Sequence, residues 1–136
     1  MGKVYQRNGH DLEVKKSTAG FGLFTQTPIK RGETVIEYTG EIITQEEANR
    51  RGGKYLFEIN SRKTIDGKGR DNIARYINHS CRPNCEPEIR KGRVFIEARR
   101  NIRPGEELTY DYGKEYADEY ITPYGCRCDH PKHGKK

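Results

Sequence analysis

Glycine and proline recur so often in this chain that few long elements can form. Pro28, Gly32, Gly40, Gly52, Gly53, Gly67, Gly69, Gly92, Pro104 and Gly105 cut it into short pieces. Glycine frees the backbone, and proline fixes φ and removes a donor, so each marks a turn or the end of an element. The pieces between them read as strands. Thr34–Tyr38 (TVIEY), Tyr55–Ile59 (YLFEI), Val94–Ala98 (VFIEA) and Glu107–Tyr112 (ELTYDY) are short and rich in β-branched or aromatic residues. One helix start stands out: Thr44 with Glu47 three residues on forms a capping-box pattern at the head of EEANRR. A helical turn is expected over Asn72–Ile77, where Ile73 and Ile77 share a face. The fold class expected is mainly β, with few short helices.

The 136 residues are 32% hydrophobic and 34% charged, which allows one domain with a small core. A staple would help such a chain. No apolar run approaches membrane-spanning length, and the N-terminus lacks a signal-peptide pattern. The expectation is a soluble intracellular protein, cytoplasmic or nuclear, with no membrane partner. The net charge of +6 raises nucleic acid as a partner. The charge is segregated, however: residues 61–103 carry +7 and residues 104–123 carry −5. A mixed surface with one acidic rim suits a basic peptide, so nucleic acid ranks second.

One local pattern occurs twice. Ile29-Lys30-Arg31-Gly32-Glu33 precedes a strand ending EYTG, and Ile102-Arg103-Pro104-Gly105-Glu106 precedes a strand ending YDYG. Two similar turn–strand units are expected, not a repeat array.

Three constellations could carry chemistry. The first is Arg75–Cys85, RYINHSCRPNC, which makes a poor helix and a poor strand and reads as a loop held in place. It supplies two of the four cysteines, Cys81 and Cys85; the others are Cys126 and Cys128. Disulfides do not suit an intracellular chain. Zinc prefers four Cys or His ligands. Cys126 and Cys128 fit one metal, Cys81 is a candidate third ligand, and His133 a candidate fourth, with His130 as substitute. Free thiols on a featureless tail are the alternative. The second is Gly20-Phe21-Gly22, which allows close backbone approach to a ligand but could be a plain turn. No P-loop pattern occurs. The third is tyrosine: Tyr38, Tyr110 and Tyr112 end strands beside glycines, and alternation puts Tyr110 and Tyr112 on one face. They could line an aromatic slot or simply pack with their hydroxyls in water.

In this order, GFGLF, EYTGEII, YLFEI, RYINHSCRPNC, GEELTYDYG and CRC resemble the SET-domain protein lysine methyltransferases with a short post-SET tail, over roughly residues 11–133. The resemblance implies the β-clip SET fold, with small sheets around a pseudoknot in which the Arg75–Cys81 segment tucks beside Glu107–Tyr112. It divides the chain into an N-terminal extension (1–10), a SET domain (11–113) and a post-SET tail (114–136). It implies S-adenosylmethionine as cofactor, contacted by Gly20, Phe21, Gly22, the Tyr55 hydroxyl, Asn78 and His79, with Arg127 over the adenine. It implies a lysine channel of Tyr38, Tyr110 and Tyr112, with Tyr112 catalytic and Tyr110 at the position that sets how many methyl groups are added, here one or at most two. It also implies structural zinc on Cys81, Cys126 and Cys128. His133 stands where the family has a third tail cysteine, and Cys85 matches a cysteine that is usually not a ligand. The substrate class is a lysine in a basic protein such as a histone tail. The competing reading is a catalytically silent relative, a zinc-stapled module that binds histones or nucleic acid.

Overall fold

A computed structural model describes residues 3–17, 20–53 and 55–112. Short strands dominate. β1 (Lys3–Arg7), β2 (His10–Ser17) and β3 (Gly20–Thr25) form one antiparallel sheet, with β2 central. β4 (Thr34–Tyr38), β9 (Cys85–Arg90) and β10 (Arg93–Ala98) form a second, with β10 central. β5 (Glu41–Thr44), β6 (Leu56–Glu58) and β7 (Lys63–Asp66) form a third around β7. The last sheet is a two-residue parallel ladder between β8 (Asn78–His79) and β11 (Thr109–Tyr110).

β4 falls on the expected residues, and β10 begins one residue early. In β10 the alternation puts Val94, Ile96 and Ala98 into the core. These meet Leu12, Leu23, Ile29, Val35, Ile77, Ile102 and Leu108, all buried. Helix α1 (Gln45–Arg51) starts as its sequence predicts, with Thr44 Oγ1 accepting from the Glu47 amide at 3.1 Å. Arg51 then clasps the helix to the third sheet, reaching Glu47, Glu41 and the buried Asp66 at 2.7, 3.0 and 2.9 Å. The expected helical turn is a 3-10 turn, Ile73–Tyr76.

The repeated pattern folds twice the same way. Ile29 and Ile102 exchange backbone hydrogen bonds, 2.9 Å one way and 2.7 Å the other. In each turn the glycine takes positive φ, 88° at Gly32 and 92° at Gly105. In each, the closing glutamate accepts the amide three residues earlier: Glu33 from Lys30 at 2.7 Å and Glu106 from Arg103 at 2.6 Å. The two turns stand back to back through the isoleucine pair.

Two expectations need correction. The stretch Glu107–Tyr112 is not one continuous strand, since Glu107 bridges to Phe24 and only Thr109–Tyr110 form a ladder, and Gly20-Phe21-Gly22 is not a turn but the start of β3, paired along β2. The strand of the first pairs with Asn78–His79, which individual propensities do not favour as strand. That short ladder is imposed from outside, by the core beneath it.

Candidate active site

Asn84 fixes one wall of the site. It is buried, its Nδ2 donates to the Glu107 carbonyl at 2.8 Å, and its Oδ1 accepts from the Thr109 amide at 2.9 Å. This anchors β11 from the far end of the NHSCRPN run. The Ser80 amide donates to the Tyr110 carbonyl at 3.2 Å and extends the ladder. The loop RYINHSC is therefore pinned against the segment carrying Tyr110 and Tyr112.

The aromatic residues form a row. Tyr38 lies 5.3 Å from Phe57 between ring centroids, Phe57 lies 6.3 Å from Tyr110, Tyr110 4.9 Å from Tyr112, and Tyr112 5.4 Å from His79. Each pair is tilted or edge-on, the geometry ring quadrupoles favour. The Tyr38 hydroxyl donates to the Tyr55 carbonyl at 2.8 Å. The Tyr112 hydroxyl donates to the Ile77 carbonyl, so toward any further partner its oxygen acts as an acceptor. The Tyr112 amide donates to Nδ1 of His79 at 3.1 Å. A neutral His79 then carries its proton on Nε2, which sits 3.4 Å from the Cys81 sulfur.

The Gly20–Gly22 segment meets this wall through Asn78. Asn78 Nδ2 donates to the Phe21 carbonyl at 2.9 Å and to Glu107 Oε2 at 2.8 Å. A β-carbon on Gly22 would stand 2.3 Å from that same oxygen, so a larger residue fits only if the carboxylate gives way. Phe21 is 58% exposed, an apolar ring left open to a ligand. The guanidinium carbon of Arg75 lies 5.3 Å from the Tyr55 ring centroid and 4.7 Å from that of Tyr76.

The structure thus brings together Gly20, Phe21, Gly22, Asn78, His79, Tyr110, Tyr112 and Cys81, and joins Tyr38 to them through Phe57. Tyr55 lies at the far end, joined through its carbonyl to Tyr38. Arg127, Cys126, Cys128, His130 and His133 lie outside the described residues. Burial pushes the Cys85 thiol up to about 12, which suits packing and not metal ligation. Cys81 is exposed. Among the described residues no three His, Cys, Asp or Glu side chains cluster as a metal site. The expected acidic wall changes in one respect. Glu106 pairs with Arg100 at 2.9 Å, and Glu107 turns inward onto Ser17 and Asn78, so Glu107 does not add to the rim. The sequence reading missed Phe57, Asn84 and Glu107, although all three lie within motifs it quoted.

A family model for the SET domain matches residues 20–113. This chain belongs to the SET domain family. Its relatives include the histone-lysine N-methyltransferase MEDEA of Arabidopsis thaliana, 40% identical over 128 residues. The H3 lysine-4 specific histone-lysine N-methyltransferase of Yarrowia lipolytica is 40% identical over 133 residues, and histone-lysine N-methyltransferase 2D of Homo sapiens 41% over 122. These alignments cover 85%, 87% and 80% of this chain but only 19%, 11% and 2% of the relatives. The residues matched to the SET domain include every described residue of the aromatic row and the Asn78–Phe21 hydrogen bond.

Proposed function

We propose that this SET domain transfers a methyl group from S-adenosylmethionine to the side-chain amine of a lysine in a basic protein, a histone tail being the class its relatives' names point to. The observation that carries the reading is the row Tyr38, Phe57, Tyr110, Tyr112 and His79 standing against the hydrogen bond from Asn78 to the Phe21 carbonyl.

The residues present fit the cofactor. Asn78 has both amide protons committed to acceptors, which turns its Oδ1 outward to receive an ammonium group. Phe21 offers an open apolar face, and the tyrosine faces suit a sulfonium cation. Gly20, Gly22, Tyr55 and His79 complete the site in this reading, with Arg127 from the tail. When bound, S-adenosylmethionine supplies an electrophilic methyl group.

The chain's own residues do the rest. A lysine amine has a pKa near ~10.4 and is no nucleophile while protonated. A slot walled by Tyr38, Tyr110 and Tyr112 desolvates it and lowers that pKa, so the proton leaves to water before transfer. The oxygen of Tyr112, held by its bond to the Ile77 carbonyl, orients the amine and the incoming methyl group by N–H and weak C–H contacts. Tyr110 crowds the space a second methyl would need, and the product is mainly monomethyl-lysine. Cys81, Cys126, Cys128 and His133 are proposed to hold a structural zinc that fastens the tail to the pinned loop, with the protein acting on chromatin in the nucleus.

The test is transfer of labelled methyl to core histones and lysine-rich peptides. Label on lysine is the expected result. No label and no calorimetric affinity for S-adenosylmethionine would move the reading to a silent binding module. For zinc, a chelator should expose three thiols to labelling while Cys85 reacts only after denaturation. Labelling of all of Cys81, Cys126 and Cys128 before chelation would count against the site.

A further inference from the structure

Glu107 sits among residues of an acidic stretch but does not face water as its neighbours' charges suggest. Its backbone is fixed twice, by the bridge to Phe24 and by Asn84 on its carbonyl at 2.8 Å. Its carboxylate accepts the Ser17 hydroxyl, 2.8 Å to one oxygen and 3.0 Å to the other. It also accepts Asn78 Nδ2 at 2.8 Å, and it occupies the space that a β-carbon on Gly22 would take. One side chain therefore joins the end of β2, the start of β3 and β8.

We propose that Glu107 is a positioning residue, which holds Asn78 and the Gly20–Gly22 backbone in the arrangement that binds cofactor. The inference rests on the methyltransferase reading above. The physical argument concerns the Asn78 amide. Its nitrogen lies between a carbonyl and a carboxylate, neither of which can donate, so the amide has one orientation. Without the carboxylate, one proton loses its partner and the Phe21 carbonyl alone sets the amide, so the acceptor at the ligand side is held less firmly. A hydrogen bond to an ionised group is among the stronger ones. Glu107 acts through Asn78 and the Gly20–Gly22 backbone, so its effect falls on binding and not on the transfer step.

Cofactor affinity by calorimetry and steady-state kinetics on a lysine peptide test this in wild type and four variants. Glu107→Met keeps the side-chain length and removes both acceptors. It should bind S-adenosylmethionine about tenfold more weakly, with kcat at saturating cofactor within about threefold of wild type. Glu107→Gln keeps one acceptor oxygen and should stay within about threefold in affinity. In an Asn78→Ala background, Glu107→Met should cost less than about twofold, because the group it acts through is gone. Equal cost in both backgrounds, or a loss in kcat alone, overturns the proposal. Should Glu107→Met melt below the assay temperature, Gly22→Ala decides, since its methyl displaces the carboxylate without removing it; unchanged affinity there overturns the proposal too. A wild type that binds no cofactor overturns the methyltransferase reading itself, and this inference with it.

Discussion

The turns Ile29–Glu33 and Ile102–Glu106 have the same grammar and the same geometry, yet the chain does different things after each. After the first it enters β4, whose Val35 and Ile36 are buried and whose length pairs with β10. After the second it runs through Glu107 and Leu108 into two residues of β11, and its side chains serve the site. The local code fixes the turn. The path beyond the turn depends on the neighbour: β4 meets the six-residue β10 with its matching apolar face, and β11 meets only Asn78–His79. Similar sequence therefore gives scaffold in one limb and a wall of the candidate site in the other.

The widest separation between the limbs should come from their tyrosines. Tyr112→Phe loses its bond to the Ile77 carbonyl, at a cost of about 1 kcal/mol of stability, and is expected to lower kcat by about a hundredfold where the protein stays folded. Tyr38→Phe loses its bond to the Tyr55 carbonyl and should cost about 1 kcal/mol of stability with a much smaller kinetic effect. Equal kinetic losses would erase the distinction. Next comes product count: Tyr110→Phe, in the second limb, should shift methyl-lysine toward the di- and trimethyl forms by mass spectrometry, and an unchanged ratio would remove Tyr110 from that role.

The glycines sharpen the comparison at the turns themselves. Gly32→Ala and Gly105→Ala each force a β-carbon into positive φ, a cost of about 1–2 kcal/mol, and melting should fall by a similar few degrees in both. Methyl transfer, measured where both are folded, should drop further in Gly105→Ala, because that turn leads directly into the site. The smallest effect is acid sensitivity. The Arg100 guanidinium holds the Glu106 carboxyl below its usual range, so the pair stabilises the fold above the ordinary carboxylate pKa. That contribution disappears as pH falls through the lowered value. The difference in urea midpoint between wild type and Glu106→Gln should therefore shrink from about pH 6 to about pH 3.

The sequence was most legible where one local rule sufficed. Thr44 caps its helix, Thr34–Tyr38 pairs as its residues predict, and the glycine turns repeat as their pattern repeats. It was opaque where strands are polar. β1 and β2 carry Lys, Gln, Asp and Glu through most positions, so neither shows an apolar run, although Asn8-Gly9 is a strong hairpin turn signal. β9 contains Pro87, which reads as a breaker and is tolerated here on an edge strand. The site residues that form motifs were legible. Phe57 looked like ordinary strand filling, and Glu107 looked like one more surface charge; only the fold shows the partner each one faces.

The two-residue ladder joining Asn78–His79 to Thr109–Tyr110 has a practical corollary. Between its halves lies the β9–β10 hairpin, closed at the exposed Lys91-Gly92 tip, where both residues take positive φ. A chain severed at that tip would leave Asn78 and His79 on one fragment and Tyr110 and Tyr112 on the other. Neither fragment alone would own a site, while the six paired positions of the hairpin would draw the fragments together. Fused to two other proteins, such halves would carry out the proposed methyl transfer only where their carriers meet, turning the domain into a recorder of proximity.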